Sequence, residues 1–259
     1  MSISIIYAII IFFSCVLGAI VGLGGGVFIR PAFDALGYHN VLNIGFFASS
    51  AILVMSIVST VKKIKDGTKI NAKIALMVSL GAVAGGVIGN IILEQLVATM
   101  PSEASVQYTQ IIATLIVLAI AIFLTTKDHL RYELNHQWLL VGFGVILGMI
   151  ASFLGIGGGA INVPIFMIFF GLGIKDATAY SIVVVFFSHL ARLLTLGVTV
   201  GYMYFDLSTL PFVIVAAGLG GFFGAKLSGI FSAKVVKRLF QGALGLVMVM
   251  NIINGLFLI

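Results

Sequence analysis

The chain has 259 residues, of which 61% are hydrophobic and only 8% are charged. A soluble domain carries about 25% charged residues, so a water-soluble globule is excluded and we predict an all-α polytopic membrane protein. The net charge of +6 does not indicate nucleic-acid binding, because the basic residues stand in short stretches between apolar segments, where Lys and Arg set orientation in the membrane.

Eight apolar segments follow one another along the chain. They are long and continuously apolar, without the alternation of a lipid-facing β-barrel strand, which favours membrane helices. The first 29 residues hold no charged side chain and so lack the basic start of a signal peptide; we expect them to be part of the mature fold. The predicted segments are Ile3 to Ile29, Val41 to Val61, Ile74 to Leu93, Tyr108 to Thr125, Trp138 to Gly171, Ala177 to Leu196, Leu207 to Phe231 and Leu239 to Ile259.

The chain also contains an internal repeat. Residues 22–26 (GLGGG) and 155–159 (GIGGG) are each followed by a proline and a phenylalanine at the same spacing. Residues 85–89 (GGVIG) and 220–224 (GGFFG) form a second matching pair in the same order. The predicted divisions are an N-terminal repeat (1–125), a cytoplasmic linker (126–135) and a C-terminal repeat (136–259), all within one integrated membrane domain.

Basic residues are distributed differently over equivalent loops. The stretch after the second segment holds lysines at 62, 63, 65, 69 and 73, whereas its counterpart, 197–206, holds no Lys or Arg. The next pair reverses this pattern, since 98–107 holds none and 232–238 holds three, and the linker holds Lys127 and Arg131. Because Lys and Arg mark cytoplasmic loops, this predicts two repeats of inverted topology.

Inverted repeats need an odd number of crossings in each half, so one segment of each half should not cross. The segment with three successive glycines is the candidate, because Gly costs about 1 kcal/mol relative to Ala in a helix interior. We therefore expect re-entrant hairpins over residues 3–37 and 138–173, broken at the glycines near the middle of the membrane.

The glycine runs have two interpretations. Exposed backbone at membrane depth is tolerated only where it is buried in protein or lines a wet cavity, and the free N–H groups of a helix that restarts there form an anion site. Alternatively, glycines four residues apart allow close helix packing, which is the preferred interpretation for the GGxxG pair. The predicted substrate-binding backbone comprises Gly24, Gly25, Gly26 and Val27 in the first half and Gly157, Gly158, Gly159 and Ala160 in the second.

The paired GLGGG and GIGGG motifs with their following prolines, the GGxxG elements and the eight-segment chain in two halves resemble the sulfite exporter TauE/SafE family of bacterial membrane transporters. The resemblance covers nearly the whole chain. It implies carrier-type transport of sulfite, a sulfonate or a related small anion across the bacterial cytoplasmic (inner) membrane. The halves differ at the residue before each proline, which is Arg30 in one and Val163 in the other.

An ionisable side chain at membrane depth is costly and is a functional candidate. Arg30, about one turn into the restarted helix, could bind an oxyanion bidentately, although pairing with Asp34 or snorkelling to the surface would also explain it. Asn162, at nearly the matching position, could donate an amide to the same ligand or form an interhelical hydrogen bond.

Further polar residues near the hairpins are secondary candidates. His189 and Arg192 share one helical face and could form a second cationic or proton-linked element; an interfacial position near the outer end is the alternative. Hydroxyl groups at the hairpins could also contact a ligand, although serine commonly bonds back to its own helix. These serines are Ser49, Ser50, Ser152 and Ser181.

Together these features predict a secondary transporter of a small organic or sulfur-containing anion that works by alternating access; an anion channel and, less favoured, a non-transporting scaffold or enzyme are the alternatives. No HExxH, paired-carboxylate or catalytic-triad pattern is present, so an enzyme is not predicted. The single cysteine, Cys15, excludes an intramolecular disulfide. No cofactor, metal or nucleic acid is predicted, and the coupling ion, H⁺ or Na⁺, and the oligomeric state are left open.

Overall fold

The computed structural model describes residues 3–68, 70–126, 132, 137–155 and 158–257. Its regular structure in these ranges is helical, as predicted. A short 3-10 helix, Tyr202–Tyr204, joins the eighth and ninth α-helices. The α-helices are α1 (Ile3–Val21), α2 (Gly26–Leu36), α3 (Val41–Lys65), α4 (Ala72–Thr99), α5 (Glu103–Thr126), α6 (Gln137–Leu154), α7 (Gly159–Phe169), α8 (Ile174–Thr199), α9 (Leu210–Ile230) and α10 (Ala233–Phe257).

Seven helices of the described chain, α1, α3, α4, α5, α8, α9 and α10, are long and apolar enough to cross a membrane. The polytopic membrane protein predicted from the sequence is therefore confirmed. Helices α2 and α7 have 11 residues each, or about 16 Å at 1.5 Å per residue, which is far less than the ~30 Å of a hydrocarbon core.

The predicted breaks at the two glycine runs are also confirmed. Helix α2 starts at Gly26 and α7 at Gly159, each one residue before the predicted restart. The glycine runs are needed for backbone geometry, since L side chains strongly disfavour positive φ. The φ angles are +76° at Gly22, +85° at Gly24, +73° at Gly25, +65° at Gly155 and +63° at Gly158.

In the first hairpin, α2 folds back along α1. A Cβ placed on Gly25 would lie 3.3 Å from Cys15 Sγ, and the ring of Phe33 stacks on Tyr7 at 3.8 Å between centroids. The chain thus returns toward the end of the bundle at which α1 began. The break lies farther along the bundle than the predicted position near the middle of the membrane. Helix α1 has 19 residues before it, and Gly22 lies beside Thr178, near the start of α8.

The second hairpin has the same form. The position of a Cβ on Gly158 is 2.6 Å from Ala151 Cβ, and Phe169 at the end of α7 packs on Phe143 of α6 with 5.0 Å between ring centroids. Helix α7 therefore runs back along α6.

Helices pack across the two halves in matching pairs. Helices α1 and α9 run parallel, with contacts from Ser4–Thr209 at one end to Ser228 Oγ donating to the Ile20 carbonyl at 3.1 Å at the other. In the other combination of halves, α4 corresponds to α9 and α6 corresponds to α1. Helices α4 and α6 also pack against each other and run parallel. Helices α3 and α8 run antiparallel, since Lys63 near the end of α3 contacts Thr178 near the start of α8 and Ser49 contacts His189.

The GGxxG elements form these pairings, as the packing interpretation predicts. A Cβ on Gly85 would overlap the backbone of Val145 in α6, and one on Gly220 would lie 2.6 Å from the Phe12 carbonyl oxygen in α1. Only glycine allows the helix axes to approach this closely.

Both basic stretches lie at one end of the bundle, called here the basic end. The two stretches meet where Lys63 Nζ donates to Ser228 Oγ at 3.3 Å. The opposite end carries the contacts of Tyr7 with His39 and of Asn40 with Tyr204. The predicted linker, 126–135, lies outside the described residues except for Thr126 and Tyr132, and Lys69 also lies outside them.

The helices are longer than the apolar segments. The basic residues at 234, 237 and 238 belong to the first turns of α10, and those at 62, 63 and 65 to the last turn of α3, so the prediction that they stand in loops is wrong. Lys and Arg are good helix formers, and cations at a helix C-terminus are favoured by its dipole. The helices therefore continue beyond the apolar windows.

Candidate functional site

Arg30 lies inside the bundle on α2, where it is 4% exposed. Its Nε donates to Asp34 Oδ2 at 3.2 Å, and its Nη2 donates to Gln110 Oε1 on α5. Snorkelling is thus excluded, whereas the predicted pairing with Asp34 is present. Its Nη1 is buried and has no hydrogen-bond partner among the described residues.

Arg192 is the second buried arginine and is 0% exposed. Its Nη1 donates to the Ser152 carbonyl of α6 at 2.9 Å, while Nε and Nη2 find no acceptor within the described chain. The expected alternative, an interfacial position, is wrong: α8 extends to Thr199, so Arg192 lies two turns inside the helix.

The two guanidinium groups converge on the second glycine break. The point where a Cβ would stand on Gly155 is 2.8 Å from Arg192 Nη1 and 2.9 Å from Arg30 Nη1. A Cβ on Gly45 of α3 would overlap the Arg192 guanidinium from the other side. Two glycines thus leave room for two like charges that come from different halves of the chain.

The positive charges of the two arginines are only partly compensated by nearby carboxylates. Asp34 is the one carboxylate within 4.0 Å of either arginine among the described residues, and Glu94 of α4 interacts with Arg192 only from a greater distance. The contacting groups Arg30, Asp34 and Arg192 together carry a net charge of +1. An uncompensated charge in a low-dielectric interior costs several kcal/mol. Unpaired cationic donors in such a place are suited to hold an anion.

Asn162 and Ser152 add unpaired polar groups. Both residues are 0% exposed, and neither the Asn162 amide nor the Ser152 hydroxyl has a partner in the described ranges. The interhelical hydrogen bond expected as the alternative for Asn162 is therefore not formed with any described residue.

The other serines fall into two groups. Ser49 of α3 contacts His189 Nδ1 at 3.0 Å, one turn of α8 away from Arg192, and Ser50 is buried beside it in the sequence. Ser181 instead donates to the Gly22 carbonyl at 2.6 Å, where it stabilises the first break. Ser49 and His189 therefore extend the arginine cluster, whereas the Ser181 hydroxyl is already engaged.

Some of the backbone N–H groups at the starts of α2 and α7 already donate hydrogen bonds within the protein. The N–H of Gly26 donates to the Gly24 carbonyl at 2.8 Å, and those of Phe28 and Ile29 donate to Gly25. In the second half, Ile161 and Asn162 both donate to the Gly158 carbonyl at 3.1 Å. Gly157 lies outside the described residues. The predicted anion site of free backbone N–H groups is thus less open than expected, and the side chains supply more of the donors.

The two glycine breaks touch, as expected for converging hairpins. A Cβ on Gly159 would lie 2.5 Å from the Leu23 backbone. Val27 and Ala160, at the two helix starts, are both fully buried.

Two separate pockets lie toward opposite ends of the bundle. At the end away from the basic end, a cavity of about 320 Å³ reaches Asp34 and Gln107. At the basic end, a cavity of about 140 Å³ is lined by Lys63, Lys175 and Ser228. Among the described residues none lines both pockets; Arg30 and Arg192 line neither, and Asp34 lies in the wall of the larger one.

Two buried polar residues were missed from the sequence, one at the arginine cluster and one at the basic end. Gln110, which binds Arg30 and also donates to the Phe153 carbonyl at 2.8 Å, stands as an isolated amide in an apolar segment, and that isolation was the available signal. Lys63 reaches Thr178 and Ser228 at 3.2 and 3.3 Å; within a run of lysines nothing in the sequence distinguishes it.

The comparison with known families agrees with the resemblance seen in the sequence. The model of the family described as sulfite exporter TauE/SafE matches residues 7–251. No curated protein and no solved structure matches the chain. Since the family match spans nearly all of the sequence, this multi-span membrane protein belongs to the sulfite exporter TauE/SafE family of bacterial transporters.

Proposed function

We propose that this protein is a secondary transporter that moves a small organic or sulfur-containing anion, such as sulfite or a sulfonate, across the bacterial cytoplasmic membrane. The observation that carries the proposal is the convergence of Arg30 and Arg192 on Gly155, with unpaired guanidinium donors inside the bundle. A planar guanidinium matches the oxygen spacing of a sulfonate or carboxylate.

The position of the charges fits a carrier cycle. The anion would bind between the two arginines, reaching them first from one pocket and then from the other, in alternating access. The basic end would face the cytoplasm by the positive-inside rule. Neither arginine lines a pocket, so this cycle would require the arginines to become accessible from each pocket in turn.

The proposed site uses side chains more than backbone. Arg30 and Arg192 would hold the anion, and Asn162, Ser152 and the Ser49–His189 pair would complete its surroundings. The glycines at both breaks, including Gly24, Gly25 and Gly158, would shape the cavity and let the hairpins meet.

A counterflow assay in proteoliposomes tests the proposal. Vesicles loaded with sulfite, thiosulfate, methanesulfonate or a small carboxylate should accumulate the labelled anion, and Arg30→Ala should abolish this. Arg238→Ala, at an exposed arginine of α10, is the matched control and should transport normally. Single-channel currents would contradict the carrier in favour of a channel, and absence of counterflow for every anion would contradict transport.

A further inference from the structure

Asp34 has a free oxygen that the arginine cluster does not use. Its Oδ2 pairs with Arg30, but Oδ1 is buried and lacks a hydrogen-bond partner among the described residues. The 320 Å³ pocket ends on this carboxylate, between Ala35, Gln107 and Asn254. Asp34 therefore contacts Arg30 of the arginine cluster on one side and lines the pocket on the other.

Few other titratable groups face Asp34. Arg30 lies on its own helix, and Tyr7 faces it from α1. Helix α5 presents Gln107 and Gln110, and its one carboxylate, Glu103, is exposed in the first turn. Helix α10 presents Asn254, and the lysines of α3 lie in its last turn at the basic end. A second carboxylate, Glu94 of α4, interacts with Arg192 from a greater distance, but it is bonded to Asn90 and Thr199 and does not line the pocket. Asp34 is thus the carboxylate that both contacts an arginine of the cluster and lines the pocket.

The charge of the cluster depends on that proton. Arginine stays protonated, so Arg30, Arg192 and ionised Asp34 sum to +1, and a proton on Asp34 raises the sum to +2. A monoanion compensates the first state and a dianion the second, and uncompensated charge is strongly disfavoured in the interior.

Resting on the proposed function, we propose that Asp34 is the proton-coupling site of the transporter. The carboxylate takes one proton from water in the pocket when a dianion binds between Arg30 and Arg192, and takes none when a monoanion binds. Arg30 keeps its charge throughout, and its hydrogen bond to Gln110 holds it in place while its contact with Asp34 weakens. A dianion such as thiosulfate then moves with one proton, and a sulfonate moves alone.

Proton counting on the purified wild-type protein tests this directly. In weakly buffered detergent with a pH indicator, thiosulfate should cause uptake of up to one proton per anion bound, and methanesulfonate should cause none. Thiosulfate affinity should rise toward tenfold for each unit that the pH falls, which is the limit for one linked proton. Equal proton uptake for both anions would overturn the inference.

Asp34→Asn keeps the shape of the side chain and should bind thiosulfate without proton uptake or pH dependence. Asp206→Asn is the matched control, since Asp206 is exposed at the same end of the bundle. The hydroxyl and then the backbone N–H of Ser208 hold the pKa of Asp206 below its usual range, so this carboxylate stays ionised, and the variant should behave like wild type.

The two proposals fail in different ways. If Asp34→Asn retains wild-type proton uptake, a group such as His189 carries the proton, and the assignment to Asp34 is wrong while the transporter stands. If neither anion binds to the wild type and no counterflow occurs, the proposed function fails as well. Since the wild-type proton count needs no variant, misfolding of Asp34→Asn would not remove the test.

Discussion

Replacing Arg192 by glutamine should change stability and anion binding in opposite directions. The guanidinium is 0% exposed and has two unpaired donor atoms within the described chain. A charged side chain deep in a membrane protein costs about 2.5–3.5 kcal/mol on insertion scales. Loss of the hydrogen bond to the Ser152 carbonyl costs about 1–3 kcal/mol, so we expect the anion-free variant to be more stable by about 1 kcal/mol.

Anion binding should weaken in the same variant. Hydrogen bonds to charged groups contribute about 1.5–3 kcal/mol each, and Nε and Nη2 provide two of them. Losing both corresponds to about 3 kcal/mol or more, which is roughly a 100-fold rise in the dissociation constant.

Thermal unfolding in detergent measures both effects, since an anion that binds only the folded protein raises Tm by an amount that grows with the logarithm of its concentration relative to Kd. Without anion, Arg192→Gln should have a higher Tm than the wild type. An anion concentration that saturates the wild type should raise the wild-type Tm but hardly that of the variant. Arg238→Gln, at an exposed arginine, should match wild type in both respects. A wild-type anion response in Arg192→Gln would refute the assignment of Arg192 to the site.

Three further predictions test the fold. Gly22→Ala should destabilise the protein strongly, because φ is +76° and the new Cβ would lie 2.7 Å from Thr178 Cα. Gly37→Ala has a similar φ of +66° but open space around the new Cβ, so it should cost only about 1–2 kcal/mol in thermal unfolding. Equal losses of stability in the two variants would show that the contact with Thr178 is unimportant. Gly242→Ala, at an exposed helical glycine with nothing within 4 Å, should raise stability by about 0.5–1 kcal/mol, and a decrease would contradict a lipid-facing position. Cysteines placed at Lys65 and Met203, one per variant in a cysteine-free background, should be labelled from opposite sides of the membrane; labelling from the same side would contradict the inverted repeat.

The helix breaks could be predicted because their signals are local. Three successive glycines are incompatible with a stable helix, and each run recurs with its following proline at one spacing. The GGxxG elements likewise specify close packing by their spacing alone, and Gly85 packs against α6 as this requires.

The cluster itself could be predicted only in part, because it depends on which helices meet. Arg30 stood out as a cation next to a break, but Arg192 could not be separated from an interfacial residue until the length of α8 was known. Gln110 is distant in sequence from both arginines, and its role depends on the packing of α5 beside the first hairpin. Pairings of this kind between helices leave no periodic pattern in the sequence.

The symmetry of the scaffold does not extend to its charges. The offset that aligns the two prolines aligns Arg30 with Val163 and Arg192 with Ser59, and Ser59 is a neutral hydroxyl that donates to the Gly221 carbonyl and to Met55 Sδ. Both buried arginines therefore lie at the second break, while the first break is bordered by the neutral hydroxyls of Thr178 and Ser181. An anion held at the second break would keep the same cationic partners in both access states. The two states would then differ mainly in which pocket reaches the cluster, so a carrier built on this scaffold would not have mirror-image open forms.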